Sequence, residues 1–213
     1  MYRLHGFSQS GNTFKVALAL RCLEQPWTPV FVDFFNGAVR KDEWRRDINE
    51  MGEAPVLEDG AHRLTQSGVI LTHLASKHGR FGGKSEAEQR EVLRWIFFDN
   101  HKFTSYFATY RFLKSFGPSK PDPAVMGFMK GRVDAAYGIV DKHLGQSAFM
   151  VGSEPTIADF SLCGYVFYPE EESGLQLMTR FPNVARWAER LRALPGWAHP
   201  YEILPGERIA PKW

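Results

Sequence analysis

An α/β domain followed by an all-helical one is the fold class this sequence predicts, and three observations predict it. The first 80 residues alternate short strand-like runs with apolar helical ones, in the order βαβαββα. Phe81 to Ser85, with two glycines, then interrupts the pattern as a linker. Beyond it, helical periodicity meets no competing strand signal. The expected domains are residues 1–80 and 86–213.

Tyr2 to Gly6 alternates apolar and polar residues as a short strand does, and the polar turn Ser8, Ser10, Gly11, Asn12 leads into Val16, Leu18, Leu20 and Leu23, a helix. Ser10 and Asn12 are both favoured N-caps for it. Thr28 to Phe34 reads as a second strand, placed at a sheet edge by Pro29, which lacks the N–H a central strand needs. Strand, helix, strand implies a parallel pair. Asn36-Gly37 breaks the chain before a short charged helix from Lys41 to Ile48. Pro55 then opens a strand, Asp59-Gly60 turns it, Arg63-Leu64 continues the hairpin, and an apolar helix runs from about Ser67 to His78. The result is a four-stranded mixed sheet. A helix start offers unpaired N–H groups to an anion, so Gln66, Ser67 and the Pro55 turn are expected to face one small anionic ligand.

In the second half, Glu86 to Phe116 reads as one long amphipathic helix crowded with aromatic residues, ended by Gly117 to Pro123. A second helix runs from Ala124 to Leu144. A third begins at Thr156, where Thr156 to Asp159 forms a capping box of the Asp type. A fourth covers Val184 to Leu194, and the proline-bearing tail is irregular.

Composition narrows the function. A hydrophobic content of 44% suffices for a core without disulfide staples, and the net charge of +2, with no basic run, gives no reason to expect nucleic acid or an acidic membrane. Cys22 and Cys163 match neither a disulfide framework nor a zinc spacing, and the histidines show no metal pattern. No stretch approaches about 18 unbroken apolar residues. The expectation is a cytoplasmic protein without metal.

Three stretches carry a resemblance. SGNTFKV from Ser10 to Val16, EAPVLEDG followed by LTQSGVIL, and GSEPTIADFSL resemble, in that order, motifs of the cytosolic glutathione transferase superfamily, bacterial-type with a Ser/Asn active-site turn. The resemblance implies a thioredoxin-like N-terminal half, a helical half contributing an electrophile pocket, a homodimer, and glutathione as co-substrate joined to a small hydrophobic electrophile. It implies that Ser10 donates a hydrogen bond to the glutathione thiolate, with Asn12 as rival. Ala54, after the unusual Glu53 and before Pro55, would pair its backbone with the cysteinyl unit, and Gln66 and Ser67 would hold the γ-glutamyl carboxylate. The bland alternative is that Ser67 merely caps its helix. Arg40 or Lys41 would reach the glycyl carboxylate. An acid at position 53 would repel the ligand's carboxylates, so its side chain is expected to point elsewhere. Tyr106 and Tyr110 are candidates for the electrophile pocket, and Asp99 or Asn100 for the γ-glutamyl amine. The competing readings are glutathione-dependent disulfide reduction or isomerisation on the same site and a non-catalytic interaction module.

Thiol activation by itself is a small lever. Lowering a thiol pKa from about 8.5 by about two units raises the thiolate roughly 25-fold at neutral pH. With a Brønsted slope of about 0.45, the loss of nucleophilicity leaves roughly a 3-fold gain. Positioning the electrophile has to supply the rest.

Overall fold

The computed structural model describes residues 1–213. Four strands form one sheet in the order β2-β1-β3-β4: β1 (Tyr2–Gly6), β2 (Trp27–Phe31), β3 (Val56–Asp59) and β4 (His62–Thr65). β1 runs parallel to β2, with Leu4 opposite Pro29, and antiparallel to β3, with Leu4 opposite Leu57. Pro29 thus lies in an edge strand, as its missing N–H requires. β2 ends earlier than the expected Phe34. Asp33 accepts both of its bonds from the Asn36 amide at 3.0 Å, and Phe34 leaves the strand to stack on Phe7 at 4.7 Å. The β3–β4 hairpin turns at Gly60, whose φ of +61° suits glycine.

Helices α1 (Gly11–Cys22) and α3 (Ser67–His78) pack together against the sheet, and α2 (Asp42–Asp47), preceded by a 3₁₀ turn at Ala38–Arg40, is shorter than the charged run suggested. Trp44 of α2 packs beside the small cluster of Phe7, Val32 and Val39. This is a thioredoxin-like α/β domain, and a helical domain follows it.

The expected single helix from Glu86 to Phe116 is three segments: α4 (Glu86–Phe98), a π-helical turn (Asp99–Phe103) and α5 (Thr104–Ser115). Residues of the turn make contacts that the aromatic pattern did not announce. Asp99 is wholly buried and accepts from Lys15 Nζ of α1 and from Ser161 Oγ, each at 2.6 Å. The remaining helices are α6 (Pro123–Leu144), α7 (Ile157–Leu162), α8 (Leu177–Arg180), α9 (Pro182–Arg192) and α10 (Pro200–Ile203). The capping box at α7 is formed: the Thr156 hydroxyl accepts from Ala158 N–H at 3.3 Å, and Asp159 accepts from Thr156 N–H at 2.8 Å. Asp159 also accepts from Trp187 Nε1–H at 2.8 Å, which pins α9 to α7.

A single cluster of 43 buried residues runs from Leu4 and Leu57 in the sheet through α1 and α3 to Trp95, Phe160 and Trp187. The two halves therefore share one core, and burial of that area holds their relative placement. No helix is long and apolar enough to cross a membrane.

Candidate functional site

The cleft forms where three local devices meet. The Ala54–Pro55 bond is cis, and it turns the chain into β3 beside the start of α1. At the other wall, Gln66 adopts φ +63°, ψ 115°, a conformation few non-glycine residues hold, and directs α3 away from β4. The first backbone N–H used within α3 is that of Ile70, which donates to Gln66 C=O at 3.0 Å, so those of Ser67, Gly68 and Val69 are left for another acceptor. The third wall is one stripe of the π turn and α5: Asn100, Thr104, Ser105, Ala108 and Thr109, which recur at intervals of three and four residues as one helical face requires.

These walls enclose about 400 Å³. Asn12, Glu53, Ala54, Pro55, Gln66 and Ser67 all line it. Glu53 is its only charged lining residue, and contrary to expectation its side chain stays in the cleft, where Oε2 accepts from Gln66 Nε2 at 2.8 Å. Repulsion by ligand carboxylates is not the only force on this acid, which also holds the neighbouring amide in place. Asn100 lines the cleft, but Asp99 turns inward to Lys15. Gly68 permits that approach: a β-carbon there would stand 2.8 Å from Ile96 and 3.3 Å from the Asn100 amide.

Other candidates fall outside the cleft. The Ser10 hydroxyl accepts from Thr13 N–H at 3.1 Å as the N-cap of α1, its side chain is buried, and it is not among the lining residues. Asn12, two residues on, is half-buried and lines it. Arg40 and Lys41 are exposed and line no part of the cleft, because the turn at Ala38–Arg40 and the start of α2 leave them on the outer surface. Tyr106 and Tyr110 line neither this cleft nor the apolar cavity beside it, because they lie on the other side of α5 from the lining stripe. Tyr110 is buried, with burial raising its phenol pKa, and Tyr106 packs on the core under Arg132.

The aromatic lining comes from elsewhere. A second cavity of about 240 Å³ adjoins the cleft, sharing Phe34, Ala108 and Thr109 with it and adding Phe7, Phe35, Phe112, Phe116 and Tyr165. Phe112 and Phe116 belong to α5 and its end, but sequence periodicity could not have joined them to Phe7, Phe35 and Tyr165, which come from the end of β1, the turn after β2 and the segment after α7. One signal was available for the group that ties them together, namely a lone arginine inside the aromatic run. Arg111 is buried, donates to Glu172 from Nε at 2.7 Å and to Gln9 C=O from Nη1 at 2.8 Å, and lies 4.0 Å over the Tyr168 ring. Tyr168 donates its hydroxyl to Ser8 C=O at 2.7 Å, and the Gln9 amide donates to Glu207 C=O at 2.7 Å. The loop before α1 is therefore fixed by the helical domain and by the tail.

A thioredoxin-like sheet with a proline turn, a helix start open to a polar cleft, and an apolar cavity walled by a helical domain define the class of fold. A family model for the glutathione S-transferase N-terminal domain matches residues 4–85, and one for the glutathione S-transferase C-terminal domain matches residues 103–199. The chain belongs to the glutathione S-transferase family.

Among relatives, glutathione S-transferase F14 of Arabidopsis thaliana is 25% identical over 178 residues, which is 79% of this chain and 70% of that protein. Protein URE2 of Meyerozyma guilliermondii is 25% identical over 239 residues, covering 91% and 77%. The crystal structure of a glutathione S-transferase from Pseudomonas fluorescens Pf-5 superposes with a TM-score of 0.84 at 27% identity, covering 93% of this chain and 98% of that one. A family member from the same source, solved with two glutathione bound, superposes with a TM-score of 0.82 at 22% identity, covering 92% and 89%. At that identity the likeness speaks for the fold alone.

Proposed function

We propose that this chain is a glutathione transferase: it binds glutathione in the polar cleft and joins its sulfur to a small apolar electrophile held in the adjoining cavity. The observation that carries the reading is the junction of the two spaces, which share Phe34, Ala108 and Thr109 next to the start of α1. A polar tripeptide and an apolar partner need two environments meeting at one reacting atom.

In this reading the Ser67 hydroxyl and the free N–H groups at the start of α3 hold the γ-glutamyl carboxylate, as a helix terminus holds an anion. The Glu53 carboxylate, steadied by Gln66, meets the γ-glutamyl ammonium, and Asn100 supports that end from the helical wall. Ala54, ahead of Pro55, presents its backbone to the cysteinyl unit. The glycyl carboxylate is not assigned to Lys41. The Asn12 amide donates to the sulfur, while Ser10 serves as the cap. The thiol proton passes to water, the sulfur forms a bond to the electrophilic carbon, and the leaving group departs with its electron pair.

Support for glutathione comes from membership of the glutathione S-transferase family, whose N-terminal domain model matches residues 4–85, the half that carries Ala54, Pro55, Gln66 and Ser67. Support for a homodimer comes from exposed apolar side chains along α3 and α4, Val69, Leu93 and Phe97, with Phe97 69% exposed. Two free, buried cysteines agree with a reducing, cytoplasmic setting. Because the cleft presents Asn12 instead of Ser10, and some family members with an Asn at this turn reduce glutathione disulfides, disulfide reduction is the second reading.

Calorimetric titration with glutathione, followed by conjugation assays on a chloronitrobenzene and reduction assays on hydroxyethyl disulfide, tests the set. Binding with faster conjugation supports the transferase. Binding with reduction alone moves the assignment to the reductase. Binding with neither activity, or no binding at all, leaves the non-catalytic interaction module, and no binding refutes both enzyme readings.

A further inference from the structure

The helical domain places a phenol at the start of α1. Tyr165 ends the 3₁₀ turn Cys163–Tyr165 that follows α7. Its ring lies flush on the first residue of α1: a β-carbon at Gly11 would stand 2.5 Å from Tyr165 Cδ2 and 2.6 Å from Cε2, so glycine is what admits it. The same ring lines the apolar cavity beside Phe7 and Phe34, next to the cleft that Asn12 lines. Its position is held from several sides. Phe107 meets it edge-on at 6.3 Å, Tyr168 packs at 5.7 Å, and the Arg111 guanidinium sits 5.5 Å from its centroid.

The hydroxyl lies by the first turn of α1, where the backbone N–H groups of Gly11 and Asn12 pull its pKa down. A phenol oxygen facing such donors keeps its own hydrogen to donate. Burial raises the phenol pKa, against the opposing pull of Arg111 and of the two N–H groups. The group therefore stays protonated at neutral pH. The Ser10 hydroxyl also accepts, from Thr13 N–H, but it is buried and lines no part of the cleft.

Resting on the glutathione reading above, we propose that Tyr165 is a catalytic residue whose hydroxyl donates a hydrogen bond to the glutathione sulfur, sharing with the Asn12 amide the task of holding it as a thiolate. The donor would then come from the helical domain and not from the loop before α1. No net proton moves through Tyr165. The thiol proton leaves to water, and the phenol keeps its hydrogen throughout the attack on carbon.

The test is the ultraviolet thiolate absorbance of bound glutathione as a function of pH. Tyr165→Phe is expected to raise its midpoint by about one unit. At pH below both midpoints, the tenfold loss of thiolate is partly offset by roughly threefold greater nucleophilicity, so kcat/KM on a chloronitrobenzene falls about threefold. Affinity for glutathione, measured by calorimetry, is expected to stay within about twofold of the unaltered chain, because one donor among several is lost. An unchanged midpoint in a variant that binds glutathione overturns the role of Tyr165 and leaves the transferase reading standing. An unaltered chain that binds no glutathione overturns both. Because Tyr165→Phe also removes a polar group from beside the start of α1, 3-fluorotyrosine in place of Tyr165 provides a second measurement with the ring and its contacts retained. The more acidic phenol is a stronger donor and should lower the midpoint, and a midpoint that does not move counts against the proposal.

Discussion

Replacing Lys15 by methionine isolates the buried ion pair that joins the two halves. Lys15 Nζ lies 2.6 Å from Asp99 Oδ2, and both side chains have no exposed surface. Asp99 keeps only the Ser161 hydroxyl when the ammonium is gone, since its Oδ1 has no partner. Leaving one member of such a pair buried costs about 3–5 kcal/mol. For a chain of this size, each kcal/mol moves Tm by roughly 2–4 °C, so Lys15→Met should lower Tm by about 6–20 °C. Replacing both partners by apolar groups is a different perturbation. Lys15→Met with Asp99→Leu removes the two desolvated charges together and strands only the Ser161 hydroxyl, at about 1–3 kcal/mol. The double variant should therefore be more stable than Lys15→Met alone, a non-additivity that thermal and urea denaturation read directly. It should still bind glutathione less tightly, because Asp99 anchors the π turn from which Asn100 reaches the cleft. A single variant that loses less than about 1 kcal/mol, or a double variant no more stable than the single, would refute the reasoning.

Ser10→Ala should lose about 1 kcal/mol of stability through the vacated cap of α1, measured by urea titration, while the thiolate midpoint of bound glutathione stays where it was. Asn12→Ala should raise that midpoint by about one unit with little change in stability, the reverse pattern, read from the same absorbance titration. Ser67→Ala should weaken glutathione binding by about tenfold or more in calorimetry, because a hydrogen bond to a charged carboxylate is lost. Asp59 accepts from Lys77 and His73 at 2.6 and 2.9 Å, and Lys77 foremost holds its pKa below the ordinary carboxylate value. Its contribution is thus present above the unfolded pKa of about 3.9 and is lost as pH falls through the lower folded value. Asp59→Asn should accordingly cost up to about 1 kcal/mol at pH 7, given that Lys77 is exposed, and progressively less as pH falls below about 3.9.

Much of this molecule was legible in its sequence because the signals are local. Pro29 requires an edge, Asp59-Gly60 requires a turn, and Thr156 with Asp159 requires a helix start, each for reasons confined to a few neighbouring residues. The proline turn and the Gln66-Ser67 step were equally readable, and Glu53, Ala54, Pro55, Gln66 and Ser67 line one cleft together with Asn12. Only the tertiary structure decided which faces look inward. Tyr106 and Tyr110 share a helix with the cleft-lining residues, yet their face meets α6 and the core because one helix has two sides and periodicity does not say which packing partner each will find. The π turn at Asp99 depends on Lys15, which lies 84 residues earlier and was silent within a helix of otherwise apolar character. The same holds for Ser10 and Tyr165. A serine before a helix is a cap or a donor in sequence alone, and what separates the two is where its hydroxyl hydrogen can go once a phenol from 155 residues away has settled on Gly11.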